Sequence, residues 1–242
     1  MLGRLHEILR PRGYLEIGVW VGDSLRLSRT RTVAVDPVNR LTEPPPHADL
    51  HLVTATSDDF FAGPDPVGHL PAVDLAFIDG MHLVEFVLRD LANLERHSHP
   101  GTVVLLDDVF PRNVEEAARE RTTRDWTGDV FRIQEVLARH RPDLTCVPLD
   151  TLPTGTMLVL GLDRADTVLG SRYAEITAET IGPDPQDVPA GIITRSGARD
   201  AEQVLNSDFW PWLVAHRAEL ATHEDGPATV AQRARAALLG SG

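Results

Sequence analysis

Three aspartates and a histidine carry the most specific chemistry in this sequence. Asp79 closes the apolar run Asp74–Ile78, and Asp107-Asp108 closes the run Thr102–Leu106. If these runs are neighbouring strands, their ends bring three carboxylates together. Carboxylates crowded in this way repel one another unless a cation or protons neutralise them. Hard oxygen donors suit Mg²⁺, Mn²⁺ or Ca²⁺ better than zinc. The competing reading has one aspartate capping a helix and the others facing solvent. His82 lies just after Asp79, where a helix is expected to start. A helix N-terminus and a nearby cation disfavour a charged imidazole, whereas adjacent carboxylates favour it. A neutral His82 would take a proton from a substrate hydroxyl. The position suits a surface or capping histidine equally well.

A second constellation points to a nucleoside. In Glu16-Ile17-Gly18-Val19-Trp20-Val21-Gly22-Asp23-Ser24, Gly18 and Gly22 let the backbone turn sharply and approach a ligand closely. The helix expected after this turn offers free N–H groups to a carboxylate or similar anion. Asp36 follows at the end of the next strand, placed to accept hydrogen bonds from a ribose diol. Alone, the first feature also reads as an ordinary strand-to-helix turn, and Asp36-Pro37 as a turn. The Gly-x-x-x-Gly spacing departs from the Gly-x-Gly-x-x-Gly of dinucleotide enzymes, and no phosphate loop of the Gly-Lys-Ser/Thr kind is present. A nicotinamide-dependent oxidoreductase is therefore the weaker enzyme reading.

The elements that must position these residues follow from periodicity. Leu2, Leu5, Ile8 and Leu9 predict a short opening helix ended by Pro11. Strands are expected at Tyr14–Ile17, Thr32–Val35, Leu50–Ala55, Asp74–Ile78, Thr102–Leu106, Leu144–Val147 and Thr156–Leu160. Pro44–Pro46 reads as extended loop. Helices are expected from His82 to Arg96, over Val114–Arg121, and from an Asp129 N-cap to His140. Beyond Leu162 the pattern changes to a loop at Gly182–Gly191 and helices at Ala201–Leu220, interrupted at Trp210-Pro211-Trp212, and Thr229–Leu239. The alternation predicts a doubly wound, Rossmann-like α/β fold. Its sheet is mostly parallel with helices on both faces, over residues 1–162. A mainly helical C-terminal extension, 163–242, would act as lid or interface.

Composition narrows the partners. The formal net charge is −13, which repels nucleic-acid phosphates. No apolar run reaches the roughly 20 residues of a membrane span, and the first residues show no signal-peptide core. One cysteine, Cys146, excludes an internal disulfide and suits a reducing compartment. A cytoplasmic protein with a small-molecule substrate is expected, and a homo-oligomer remains open. Trp20, Trp126, Trp210 and Trp212 read as packing residues, and Cys146 as a buried bystander. His97 and His99 read as solvated. Glu115-Glu116 and the arginines from Arg119 to Arg124 read as a solvated helix face.

YLEIGVWVGDSL followed by VAVDP resembles the cofactor motifs of class I S-adenosylmethionine-dependent methyltransferases. DLAFIDGMHLVEFVLRDL, GTVVLLDDV and WTGDVFRI are similar to a narrower group, the macrocin and mycinamicin-type sugar O-methyltransferases and their bacterial relatives. The resemblance covers about Leu2 to Leu160. It implies that Glu16, Gly18, Gly22 and Ser24 line the methionine end of S-adenosylmethionine, that Asp36 binds its ribose, and that Ser57 and Asp58 lie near the adenine. It further implies a divalent cation such as Mg²⁺ on Asp79, Asp107 and Asp108, with Asp79 and His82 catalytic and His82 the base. Members that use a carboxylate nearer the metal-ligand aspartate have it where this chain has Gly80 or Met81. The expected reaction is O-methylation of a natural-product sugar, catechol-like phenol or other diol. A cofactor-binding relative without activity, serving as a partner subunit, is the alternative. Relatives carry lid elements, and the loops near Pro44–Pro46 and Pro64–Pro66 are short for that task, which leaves the C-terminal extension as the expected lid or interface.

Overall fold

The computed structural model describes residues 1–41, 43, 45 and 49–240. Pro44 and Pro46 of the expected extended loop lie outside the described residues. Helix α1 (Leu2–Leu9) leads into β1 (Tyr14–Ile17) and β2 (Thr32–Val35). Next come β3 (Leu50–Val53), α2 (Ser57–Phe61), β4 (Leu75–Ile78), α3 (Val84–Glu95) and β5 (Val103–Asp107). A long irregular segment separates β5 from α4 (Ile133–His140). Then β6 (Thr145–Leu149) and β7 (Thr156–Leu160) complete the sheet.

The seven strands run in the order β3-β2-β1-β4-β5-β7-β6. The first five are parallel, and the fully buried runs Tyr14–Ile17, Thr32–Val35 and Leu75–Ile78 suit strands covered on both faces. Strand β7 is antiparallel to both β5 and β6. The link from β6 to β7 is too short for a crossover, so the chain turns back as a hairpin. Register levels the parallel strands: Ile17 pairs with both Val35 and Ile78, and Ile78 pairs with Leu106. The residues that follow, Gly18, Asp36, Asp79 and Asp107, therefore form one row along the carboxyl edge of the sheet. That edge is where open α/β sheets bind ligands, at the switch point where strand order reverses. Here the switch point falls between β1 and β4.

Each face of the sheet has its own apolar cluster. Leu15, Val33, Ile78, Val104 and Val159 pack against Val87, Leu88 and Leu91 of α3, Val136 and Leu137 of α4, and two further helices, α5 (Val168–Ser171) and α6 (Tyr173–Thr180). After a short α7 (Ala190–Ile193), the chain crosses to the other face. There α8 (Ala201–Leu205), α9 (Phe209–Leu220) and α10 (Gly226–Ala234) join α1 over Tyr14, Phe77, Leu105, Leu158 and Leu160. The C-terminal region thus supplies a covering layer of the sheet itself.

Several local expectations are corrected. Val114–Arg121 forms turns and not a helix. Its polar groups are engaged elsewhere: buried Glu116 takes hydrogen bonds from Arg112, and its carbonyl accepts from the N–H groups of Thr127 and Gly128. Asp129 does not cap the helix that follows it; its Oδ1 accepts from Val84 N at 2.8 Å, at the first residue of α3. Trp210-Pro211-Trp212 does not interrupt a helix, because Pro211 sits in the first turn of α9, where its missing N–H is not needed. The break falls at Asn206–Asp208. His99 is not solvated, since its Nε2 lies 2.8 Å from the buried Asp74 carboxylate.

Candidate active site

The glycine turn after β1 is held from below and above. Gly18 has φ 87°, a left-handed value natural only to glycine. A Cβ there would lie 1.9 Å from the carbonyl oxygen of Asp79, so the β1 and β4 turns touch through this glycine. Asp36 binds the turn directly. Its Oδ2 accepts from the N–H groups of Val19 and Trp20, each at 2.9 Å, and its Oδ1 from Val38 N. Glu16 is fully buried; its two oxygens accept hydrogen bonds from Tyr14 at 2.6 Å and Ser24 at 2.7 Å. Burial raises its pKa to about 7, against the lowering effect of those two hydroxyls.

Asp79, His82 and Asp108 converge beside this turn. Each offers a ligand atom within 4.8 Å of the others. His82 Nε2 lies 3.2 Å from Asp79 Oδ1, and Nδ1 lies 2.7 Å from Asp108 Oδ2. Asp107 is not in that group of three; its Oδ1 turns back to accept from Asp108 N at 2.9 Å. Burial and mutual repulsion raise the pKa values of Asp79 and Asp107. Burial alone would lower the His82 pKa, but hydrogen bonds and charge from Asp108 and Asp79 overcome it and hold it at about 11. His82 and Asp108 both have positive φ, 52° and 63°. Such strain in non-glycine residues persists only where the surroundings impose it, and it clusters at functional sites.

Residues 15–109 match the profile of a family described as "Methyltransferase domain". Over that stretch the chain resembles a methyltransferase domain. Its architecture is a doubly wound, Rossmann-like α/β fold. The chain resembles cofactor-bound Rv0187 from MTB, with 22% identity over 67% of this chain and 78% of that one, at a TM-score of 0.54. It is also similar to an O-methyltransferase from Bacillus cereus solved with SAH (19% identity, 66% and 78% covered, TM-score 0.48). A third similar structure is the O-methyltransferase TomG from Streptomyces achromogenes solved with SAM (24% identity, 66% and 77% covered, TM-score 0.47). No curated protein matches the chain.

The residues expected near the adenine are tied to α3. Asp58 lies 2.6 Å from Arg89, and Ser57 hydrogen-bonds Asp90, a buried carboxyl whose pKa burial raises to about 7. Gly22 has φ 83° and is buried. Sequence reasoning missed a second layer of the site. Trp126 stacks on His82 with ring centroids 5.2 Å apart and planes 6° from parallel, and its carbonyl oxygen lies 2.8 Å from His82 Nδ1. Arg119 bridges Glu85 and Asp129 instead of facing solvent. The available signal was the Trp126–Asp129 segment itself, in which a glycine and an aspartate follow a tryptophan close to a reactive strand end.

Among the described residues, no helix is long and apolar enough to cross a membrane.

Proposed function

We propose that this protein is an S-adenosylmethionine-dependent O-methyltransferase that uses a divalent cation, Mg²⁺ by preference, to methylate a hydroxyl of a small molecule. The observation that carries this reading is the convergence of Asp79, His82 and Asp108 next to the Gly18 turn and Asp36. The motif resemblance to sugar O-methyltransferases and the fold shared with a cofactor-bound relative support it.

The donor set fits a hard cation. Asp79 and Asp108 present carboxylate oxygens, and burial together with the neighbouring carboxylates raises the pKa values of Asp79 and Asp107, a penalty that a bound cation would relieve. Asp79 and Asp108 would hold the ion, with Asp107 adjacent. A bound cation would polarise the acceptor hydroxyl and supply the positive charge that offsets the carboxylates around His82. His82 is otherwise kept protonated by Asp108 and Asp79, so its service as a proton acceptor requires that offset. Asp36, with the N–H groups of Val19 and Trp20, orders the turn that would receive the nucleoside. S-adenosylmethionine, when bound, would supply an electrophilic methyl group to the acceptor oxygen with its own thioether as leaving group, and His82 would take the hydroxyl proton. The protein's main contribution is positioning.

The test is calorimetric titration with S-adenosylhomocysteine, with NAD⁺ as control, followed by methyl transfer to a panel of diols with Mg²⁺ or with excess chelator. Micromolar binding of the first ligand alone and chelator-sensitive transfer are expected. Binding of NAD⁺ alone would overturn the reading, and full activity in chelator would remove the cation from it. The double substitution Asp107→Asn with Asp108→Asn is expected to lower activity at least a hundredfold while changing S-adenosylhomocysteine affinity less than threefold, on the reasoning that it removes only transition-state stabilisation.

A further inference from the structure

We propose that the irregular segment between β5 and α4, anchored by the C-terminal region, is a clamp that positions His82, with Trp126, Gly128 and Asp129 as positioning residues. The inference rests on the reading of His82 as the proton acceptor and adds the device that aims it.

Four contacts from Trp126, Gly128 and Asp129 grip His82 and its neighbours. The Trp126 carbonyl at 2.8 Å and Asp108 Oδ2 at 2.7 Å both face Nδ1 and both accept, so the proton sits on Nδ1, shared between them, and Nε2 is directed toward Asp79. The Trp126 ring lies flat against the imidazole. Gly128, at φ 56°, packs so closely that a Cβ would stand 1.7 Å from the His82 carbonyl oxygen. Asp129 accepts from Val84 N, which fixes the start of α3 directly after His82 and Leu83. These contacts surround a histidine whose backbone is held at φ 52°. A metal-ligand or catalytic histidine commonly has its second nitrogen fixed by such a carbonyl.

The clamp is itself held from a distance. Arg119 joins it to α3 through Glu85 and Asp129. Asp184, beyond α6, accepts from the N–H groups of Arg119 at 3.0 Å and Glu120 at 3.4 Å. Gln186, buried, accepts from Arg132 Nε at 2.9 Å. Trp126 Nε1 donates to Ala118 O at 2.6 Å, closing the segment on itself. A path of hydrogen bonds thus runs from the C-terminal region to the imidazole.

The experiment uses the full chain loaded with Mg²⁺ and S-adenosylhomocysteine and labelled with ¹⁵N. Hydrogen exchange at the His82 Nδ1–H resonance, assigned by its loss in His82→Gln, is followed in Gly128→Ala and in Asp184→Ala. The second variant alters an exposed residue and keeps the test open if the first does not fold. Exchange is expected to accelerate in both. With an active acceptor, kcat should fall about tenfold or more in Gly128→Ala, because small misplacements of a catalytic group are costly. KM and S-adenosylhomocysteine affinity should stay within about twofold, since a clamp on His82 carries no ligand-binding energy. Unchanged exchange in the folded variants overturns the clamp. So does a parallel loss of kcat and cofactor affinity, which would mark a merely structural role. The exchange measurement needs no turnover, so it decides the clamp even if no acceptor is methylated.

Discussion

At the scale of single residues, the buried acidic groups at the two edges of the sheet differ in the partners they meet. Asp74, at the amino edge of the sheet, is buried yet accepts from Arg12 N and Nη2, each at 2.7 Å, and pairs with His99 and Arg217. Burial alone would raise its pKa, but hydrogen bonds from Arg12 and His99 and the charge of Arg217 pull it well below the usual carboxylate range. A carboxyl lowered in the fold contributes stability that is fully present above its unfolded pKa of about 3.9 and lost as pH falls through the folded value. Asp74→Ala should therefore cost about 3 kcal/mol at pH 7, toward the low end for a broken buried pair because Arg12 is half exposed. The gap between variant and wild type should shrink below pH 4 in urea titrations. A gap unchanged down to pH 2 would mean that Asp74 is not ionised in the fold. At the opposite edge, Asp79 faces His82 in place of an arginine and Asp107 accepts from Asp108 N, an arrangement that a bound cation would complement. Single substitutions should separate the roles there. Asp108→Asn should weaken Mg²⁺ binding about tenfold or more by calorimetry, and Asp107→Asn clearly less, because only Asp108 points into the group with Asp79. Equal losses would contradict that division.

At the scale of elements, glycines decide how closely the reactive turns approach. Gly18 has the β4 turn against its Cα, and its φ of 87° is unfavourable for any other residue. Gly18→Ala should cost at least about 1–3 kcal/mol from backbone strain alone and should also push Asp79 out of register. Urea unfolding and Mg²⁺ titration of the same variant check both effects. Full stability with intact Mg²⁺ affinity would show that the two turns do not depend on each other. The strands themselves were legible because buried parallel strands read as unbroken apolar runs. Tyr14–Ile17, Thr32–Val35 and Thr156–Leu160 agree residue for residue with the expectation. The Val114–Arg121 helix failed because its local helical propensity competes with bonds from Glu116 to Arg112, Thr127 and Gly128, which no short window reveals.

At the scale of the whole molecule, the C-terminal helices finish the sandwich. Trp210 is completely buried against the sheet, and its Nε1 donates to Val204 O at 2.7 Å, joining α8 to α9. Arg217 of α9 reaches both Leu9 O and Asp74, tying that layer to α1 and β4. Trp210→Ala should thus lower stability by about 3–5 kcal/mol, the cost of a large cavity in a main core. A loss below about 1 kcal/mol would mean that α8–α10 are an appendage and not a sheet layer.

Sequence by itself determined the doubly wound sheet, the ends of its strands and the acidic and glycine-rich residues placed at those ends. Both period and burial pattern are local properties, and register then follows from matched strand lengths. Tertiary structure alone decided which of the three aspartates converge, since Asp107 and Asp108 are adjacent in sequence and only the backbone at φ 63° turns one of them toward His82. It also decided that Asp129 serves α3 and not its own helix, and that residues 201–239 cover the sheet. Those outcomes depend on contacts between segments far apart in the chain, where propensity is silent and packing and hydrogen-bond satisfaction choose among otherwise equal local options.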